Sequence, residues 1–585
     1  MSRRLGTTNQ DIANVLSEMA MFYEMDDIPF KPRAYEDAAD AVRSLDEELR
    51  DIYNRGGIEA LDAVKGIGRG IASHIEDILT KGHFKEYERL KKKMPVDVAR
   101  ITAVEGIGPK MVKTLWKKLN IRTLRDLEKA ARAGKIRALP HFGEKSEQKI
   151  IRGIEFLKKS GGRRLLGFIL PDVRKIENMI RSFNGVGDVV TAGSVRRRKE
   201  TIGDLDFLVT SKTPKNVMEQ FVRLPFVDHV YGKGITKTNV RLKNGIDADV
   251  RVVPQKSFGA ALNYFTGSKE HNIALREIAI KKGWKLNEYG LFAGSRTSRG
   301  KSDFLAGRTE EEIYRKLGLR SIEPEMREMT GEIEAARENR LPHLIEYGAL
   351  KGDLQVQTDW TDGENSIEEM AKAAQEAGLE YIAITDHTKS LAMTGGADEK
   401  KLLQQMREID RLNKKFKDVK FKILKGAEVN IGAEGTLDIK DEALAQLDVV
   451  GAAVHSHFNL SRTEQTARIV RVMENPHVDI IFHLTGRIIH TREPIDIDID
   501  EIIKHAKRTG TILEIDAYPV RLDIKNEYVK KCVEAGVKMS IDSDAHSTKH
   551  FEYLEFGIAE ARRGWAEKKD IINAWPLEKM LQFLK

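Results

Sequence analysis

The spacing of apolar residues changes character twice along this chain, and the changes divide it into parts that cannot share one fold. Up to about residue 160, segments such as IANVLSEMAMFYEM, RAYEDAADAVRSL and KMVKTLWKKL carry apolar positions three and four apart, which predicts an all-α region. Beyond it, DVVTAGSV, DLDFLVT, KTNVRLK and IDADVRVV show alternating or continuous apolar runs rich in Val and Thr, which predicts strands of one sheet. Residues 326–349 are charged, contain a proline and read as a connection. From Lys351 onward, YIAIT, LDVVGAAV, VDIIFHL, TILEID and KMSID alternate with helical stretches, the pattern of a parallel α/β barrel. A chain of 585 residues is in any case too long for one hydrophobic core.

The helical region contains one phrase twice, VKGIGRGIASHI at 64–75 and VEGIGPKMVKTL at 104–115, with a looser third copy in LPHFGEKSEQKI at 139–150. Gly66 and Gly68, and likewise Gly106 and Gly108, permit a tight turn that brings backbone N–H groups at a helix start close to a phosphate. The same glycines could simply cap a packing turn, but two copies followed by Lys and Arg favour a sequence-independent grip on DNA. Charge agrees: residues 101–300 hold 40 Lys and Arg against 19 Asp and Glu, although the whole chain carries only +8. Such an excess suits a polyanion, with a solvated lysine-rich surface as the bland alternative.

Gly193-Ser194-Val195-Arg196-Arg197 leads through Gly203 to Asp204-Leu205-Asp206, and strand periodicity puts both carboxylates on one face. Asp249 on a neighbouring strand can complete a three-carboxylate site, with Asp247 as its competitor. Three carboxylates suit two Mg²⁺ or Mn²⁺ ions and triphosphate chemistry, while the Gly193-Ser194 turn and Arg197 can take the β and γ phosphates. An isolated DxD would more often be an exposed acidic hairpin; inside GSxRR…GDxD it is far more specific.

On these residues the chain resembles the family X (beta-like) DNA polymerases over positions 1 to about 325. The resemblance implies a nucleotidyltransferase palm and thumb of α+β type behind helix-hairpin-helix domains. It implies metal-binding roles for Asp204, Asp206 and Asp249, and contact with the incoming nucleotide for Gly193, Ser194, Gly203, Tyr264, Phe265 and Gly267 of YFTGS. It further implies that Asn272 reads the nascent pair, that Arg251 and Arg276 meet DNA, and that Lys31, near Tyr35, holds a 5′-phosphate. The family's Schiff-base lysine position falls on His74, which argues against strong lyase activity.

In the barrel region Asp362, His387, Glu428, His455, His483, Asp544 and His546 mostly follow apolar runs, and together they could bind several metal ions that activate water. This segment resembles the polymerase and histidinol phosphatase (PHP) domain, which implies a distorted, seven-stranded TIM-like barrel with Zn²⁺ or Mn²⁺ and 3′-5′ exonuclease or phosphatase chemistry. The chain departs from that family where its HxH pair reads Gln355-Val356-Gln357, so the metal position relying on the pair should be weak or empty.

The resulting expectation is a PolX-type polymerase: 1–95 a lyase-like helix-hairpin-helix domain, 96–160 a second helical domain, 161–255 palm, 256–325 thumb, 326–349 linker and 350–585 PHP domain. Gapped or primed DNA and dNTPs are its expected partners, and a monomer its expected state. A PHP phosphoesterase whose other half only binds DNA, and a non-catalytic DNA-end-binding scaffold, stay open as alternatives. The start MSRRLGTTNQDIANVL has no signal-like apolar stretch and no apolar run approaches about 20 residues, so a cytoplasmic, nucleoid-associated location is expected. Cys532 is the only cysteine, which excludes an internal disulfide and a cysteine-based zinc site.

Overall fold

The computed structural model describes residues 9–584 apart from 44, 46, 105–106, 140–141, 160–162, 297–301, 392–393 and 417–420. It divides into two units, Met1–Gly161 with Ile489–Glu493, and Gly162–Ile488 with Pro494–Lys585.

The first unit is helical among its described residues. α1 (Arg69–Lys81), α2 (Pro109–Leu119) and α3 (Glu144–Lys159) are the helices that follow the three glycine phrases. Gly68 and Gly108 are extended N-cap residues, and the Gly143 carbonyl accepts from Glu147 N at 3.0 Å, so each phrase ends by opening a helix. Gly66 needs its freedom, with φ +87° and the Ala41 methyl 2.9 Å from where a Cβ would stand. Gly106 lies outside the described residues. α1 buries Ile71, Ala72, Ile75, Ile78 and Leu79, a stripe that joins Ile12, Leu16, Phe22 and Leu115 in one core.

The second unit opens on a five-stranded sheet: β1 (Val186–Thr191), β2 (Asp204–Ser211), β3 (Val227–Lys233), β4 (Lys237–Leu242) and β5 (Asp247–Val253), in the order β1-β2-β5-β4-β3. The four expected strands are present. β3 adds a fifth that the sequence does not announce, because VDHVYGK lies almost wholly in solvent and lacks an apolar face. β2 and β5 run parallel. In β5 the alternation is strict, Ala248, Val250 and Val252 facing inward while Asp247, Asp249 and Arg251 face the other side. α4 (Gly193–Arg196) joins β1 towards β2, and α5 (Phe258–Thr266) and α6 (Lys269–Lys281) follow β5.

Residues 326–349 are not a loose connection. Met326, Ile333, Ala335 and Ala336 pack with Leu275, Ile313 and Tyr314 in one core. Two of their charged side chains are buried against partners, Arg327 Nη1 to Glu310 Oε1 at 2.5 Å and Glu332 Oε1 to His271 Nδ1 at 2.8 Å, while Glu334, Arg337, Glu338 and Arg340 face solvent. Pairing is why Arg327 and Glu332 can be buried here.

Seven parallel strands then form a nearly closed barrel: β6 (Gly352–Val356), β7 (Tyr381–Ile384), β8 (Lys422–Asn430), β9 (Val449–Ala453), β10 (Ile480–Ile481), β11 (Ile512–Asp516) and β12 (Met539–Asp542). A bridge between Val356 and Ala545 draws the end of β6 to the residues after β12. The strands are buried almost throughout, as a parallel sheet covered by helices requires. Among the described residues no helix is long and apolar enough to cross a membrane.

Two candidate metal centres

The parallel register of β2 and β5 sets Asp206 opposite Asp249 and Asp204 opposite Asp247. Burial pushes the Asp206 carboxyl up to about 6, and the neighbouring Asp204 and Asp249 push in the same direction. A bound divalent cation would relieve that repulsion, so the donor set fits one. Asp249 is fixed by the Asn239 amide, which donates to its Oδ1, and by Lys237 Nζ 3.3 Å from its Oδ2. The competitor Asp247 is already occupied, accepting from Arg241 at 2.8 Å and Tyr231 at 3.2 Å. Gly193 has φ +63°, and a Cβ on it would stand 2.7 Å from Asp206 Oδ2, so only glycine lets the α4 turn close against this carboxylate.

The residues around the carboxylates form a braced turn. Arg197, expected on the phosphates, donates from Nε to Glu328 at 2.9 Å and from Nη1 to the Thr266 carbonyl, so its guanidinium secures the YFTGS segment. Tyr264 and Phe265 meet edge to face at 5.1 Å, and Arg251 lies over the Phe265 ring at 4.5 Å. Asn272 Nδ2 donates to the Tyr264 carbonyl at 2.7 Å, and Arg276 Nε to the Asn272 carbonyl at 3.2 Å. Gly267 turns the chain with φ +74°, and Ser268 caps α6. Ser194 lies in α4 beside Gly193, and Gly203 sits so close to Arg163 that a Cβ would be 2.9 Å from its Nη1.

In the helical unit, Lys31 Nζ lies 4.5 Å over the Tyr23 ring. His74 Nδ1 is 2.8 Å from the Tyr35 hydroxyl and its ring stacks on Phe84, while burial lowers its pKa.

The barrel brings its seven ligand candidates to one rim. His387 faces both ways, Nε2 3.6 Å from Asp362 Oδ2 and Nδ1 3.5 Å from Glu428 Oε2. His546 Nε2 lies 3.7 Å from Asp362 Oδ2 and its Nδ1 3.8 Å from Asp544 Oδ1. Glu428 Oε1 meets His483 Nε2 at 2.8 Å, with His455 Nε2 at 3.0 Å but not aligned for a hydrogen bond. Ligand atoms of Asp362, His387 and His546 lie within 4.8 Å of one another, and so do those of His387, Glu428 and His455. Burial opposes ionisation of Glu428, yet His387, His455 and His483 hold its carboxyl well below the usual range.

Gln355 and Gln357 are fully buried at the foot of this rim. Their Nε2 atoms donate to the same Glu428 Oε2 at 3.1 and 2.7 Å, while both Oε1 atoms lack a partner. Turning either amide over would set a carbonyl oxygen against an ionised carboxylate. The glutamines thus offer hydrogens where a metal needs lone pairs, and the ligand position they occupy does not fit an ion.

Several site residues are not legible in the sequence. Arg521, whose Nε lies 3.5 Å from Asp516 Oδ2 and 3.6 Å from Asp544 Oδ2, brings a partly buried cation to the rim. Asn430 Oδ1 orients His455 through Nδ1 at 2.8 Å. Asn239 and Lys237 could be found only through the β4–β5 register, which pairs Asn239 with Asp249.

Comparison with known proteins follows the same division. Residues 7–84 match a helix-hairpin-helix domain, 98–155 a SAM-like helix-hairpin-helix tandem, 261–328 a DNA polymerase beta thumb and 353–575 a PHP domain. DNA polymerase/3'-5' exonuclease PolX of Bacillus subtilis (strain 168) is 36% identical over 98% of this chain and 99% of its own. DNA polymerase lambda of Rattus norvegicus is 25% identical over 56% of this chain and 57% of its own. A probable phosphatase of Thermoanaerobacter sp. (strain X514) is 35% identical over 31% of this chain and 73% of its own.

Proposed function

The chain belongs to the PolX family of DNA polymerase/3'-5' exonucleases, and on that premise we propose that Asp204, Asp206 and Asp249 carry its nucleotidyl transfer. It is a DNA-directed DNA polymerase. The observation that carries the site assignment is the cross-strand pair Asp206–Asp249, with Asp206 pushed up to about 6 beside two other carboxylates.

Mg²⁺ or Mn²⁺, when bound by these oxygens, supplies the charge that acidifies a primer 3′-hydroxyl and neutralises a triphosphate. The chain does the rest. Asn239 and Lys237 hold Asp249 in one orientation, so the ligand set is pre-organised. The Gly193-Ser194 turn offers backbone N–H and hydroxyl donors to the β and γ phosphates. Tyr264 and Phe265 receive the sugar and base in this reading, and Asn272, tied to the Tyr264 carbonyl, keeps that platform in register. Lys31, the Gly66–Gly68 turn and the Gly108 helix start bind the DNA backbone, and gapped or primed duplex with dNTPs is the substrate. His74, shut between Tyr35 and Phe84, has no amine to form a Schiff base. A monomer in the cytoplasm is the working state.

The barrel supplies the hydrolytic half as a centre for two ions, Zn²⁺ or Mn²⁺, one at Asp362, His387 and His546 and one at Glu428, whose Oε1 has His483 at 2.8 Å and His455 at 3.0 Å. The Gln355–Gln357 position stays out of it. Primer extension on a one-nucleotide gap with Mg²⁺ or Mn²⁺ tests the polymerase reading. A purified chain that adds no nucleotide sinks it, and 3′-5′ hydrolysis that survives His483→Ala removes the barrel from that role.

A further inference from the structure

The barrel reaches into the polymerase centre. Residues 197–200 continue from the α4 turn through Arg198, which is left-handed at φ +53°. This short stretch is gripped at both ends by barrel arginines. At its start, Arg563 Nη1 donates to the Arg197 carbonyl at 3.1 Å and lies 3.4 Å from Glu328 Oε1. At its end, Arg487 Nη2 donates to Glu200 Oε2 at 2.8 Å. Glu328 closes the bracket, accepting from Arg197 Nε at 2.9 Å and lying 3.6 Å from Lys199 Nζ.

Arg563 is the last residue of α7 (Leu554–Arg563) and is only 6% exposed. Its Nη1 serves both the Arg197 carbonyl and Glu328 Oε1, while Nη2 lies 3.5 Å from Asn526 Oδ1 and Nε 3.5 Å from Glu560 Oε2, so the barrel anchors the planar head that holds the turn. Arg197 in turn holds the Thr266 carbonyl directly before Gly267. One barrel side chain therefore braces both the phosphate turn and the sugar-and-base segment.

We propose that Arg563 is a positioning residue for nucleotide binding at the polymerase centre. The proposal rests on Gly193-Ser194 being the triphosphate turn. Because Arg563 reaches no reacting atom, its loss moves the turn rather than the chemistry, and the effect falls on nucleotide affinity.

The test is steady-state extension of a one-nucleotide gap by the full chain carrying Arg563→Ala, Arg563→Lys, Glu328→Gln or Ser194→Ala, with thermal melting as a check on folding. Arg563→Ala is expected to raise the dNTP KM about tenfold with kcat within about threefold, the scale of one charge-assisted hydrogen bond. Arg563→Lys should recover part of that loss, and Glu328→Gln, should Arg563→Ala fail to fold, should raise KM in the same sense. If Ser194→Ala raises KM while folded Arg563→Ala and Glu328→Gln leave it unchanged, the positioning role is wrong. If Ser194→Ala also leaves KM unchanged, the triphosphate turn is misassigned and the proposal falls with it. A fall in kcat at unchanged KM likewise overturns it.

Discussion

Gln357 donates its side-chain amide to Glu428 Oε2 at 2.7 Å, so a hydrogen bond stands in the barrel where a ligand bond would need two lone pairs and a cation between them. Gln355 repeats the contact to the same oxygen at 3.1 Å. Removing one amide would leave Glu428 less satisfied without creating a metal ligand.

The metal content of the barrel follows from that contact. Elemental analysis of purified protein reconstituted with Zn²⁺ or Mn²⁺ is expected to give two barrel ions per chain. The double change Gln355→His and Gln357→His is expected to add one more, because imidazole presents the lone pairs that the amides lack. Three barrel ions in the unaltered protein would refute this reading.

The polymerase carboxylates separate cleanly by partner. Asp249→Ala is expected to reduce primer extension by about a thousandfold or more, on the scale of a lost catalytic metal ligand. Asp247→Ala should stay within about tenfold, since its carboxylate serves Arg241 and Tyr231. Equal losses from the two changes in gap-filling rate would void the assignment.

Asn239 orients Asp249 without joining the triad. Asn239→Ala is expected to lower kcat by about tenfold, the scale for a residue that supports a ligand, and to weaken Mg²⁺ binding to a similar degree. Isothermal titration of Mg²⁺ against both proteins checks it, and an unchanged affinity would contradict it.

Glu310 makes the stability of the thumb depend on acid. Burial opposes its ionisation, but Arg327 and Arg196 hold its carboxyl down at about 2, against an ordinary value of 4.5. A depressed carboxyl contributes stability that is present above pH 4.5 and is lost as pH falls from there through about 2. Glu310→Gln is therefore expected to cost about 3–5 kcal/mol at neutral pH, since it leaves two arginines without their partner. Denaturant titration should show the gap narrowing below pH 4.5; a gap constant with pH would exclude the ion pairs as its cause.

Where local pattern decides structure, the sequence is a good guide. Strand alternation is enough to put Asp204 beside Asp206, and the repeated glycine phrase is enough to place α1 and α2. What it conceals depends on register or on partners distant in the chain. Asn239 meets Asp249 only because β4 pairs with β5 at that offset. Arg197 reads as a phosphate ligand, and nothing in its surroundings announces that Glu328, 131 residues on, accepts from its Nε. Residues 326–349 read as linker because their charges show no apolar period, and only the structure reveals that Arg327 and Glu332 are buried against Glu310 and His271.

That buried segment governs how this enzyme can be taken apart. A cut at the start of 326–349 would strip the last layer from the polymerase lobe, uncovering part of Leu275, Ile313 and Tyr314 and taking Arg327 from Glu310 and Glu332 from His271. A truncated polymerase would then be judged feeble for want of packing, and its defect credited to a missing nuclease. The informative dissection keeps all 585 residues and silences each centre by single substitutions.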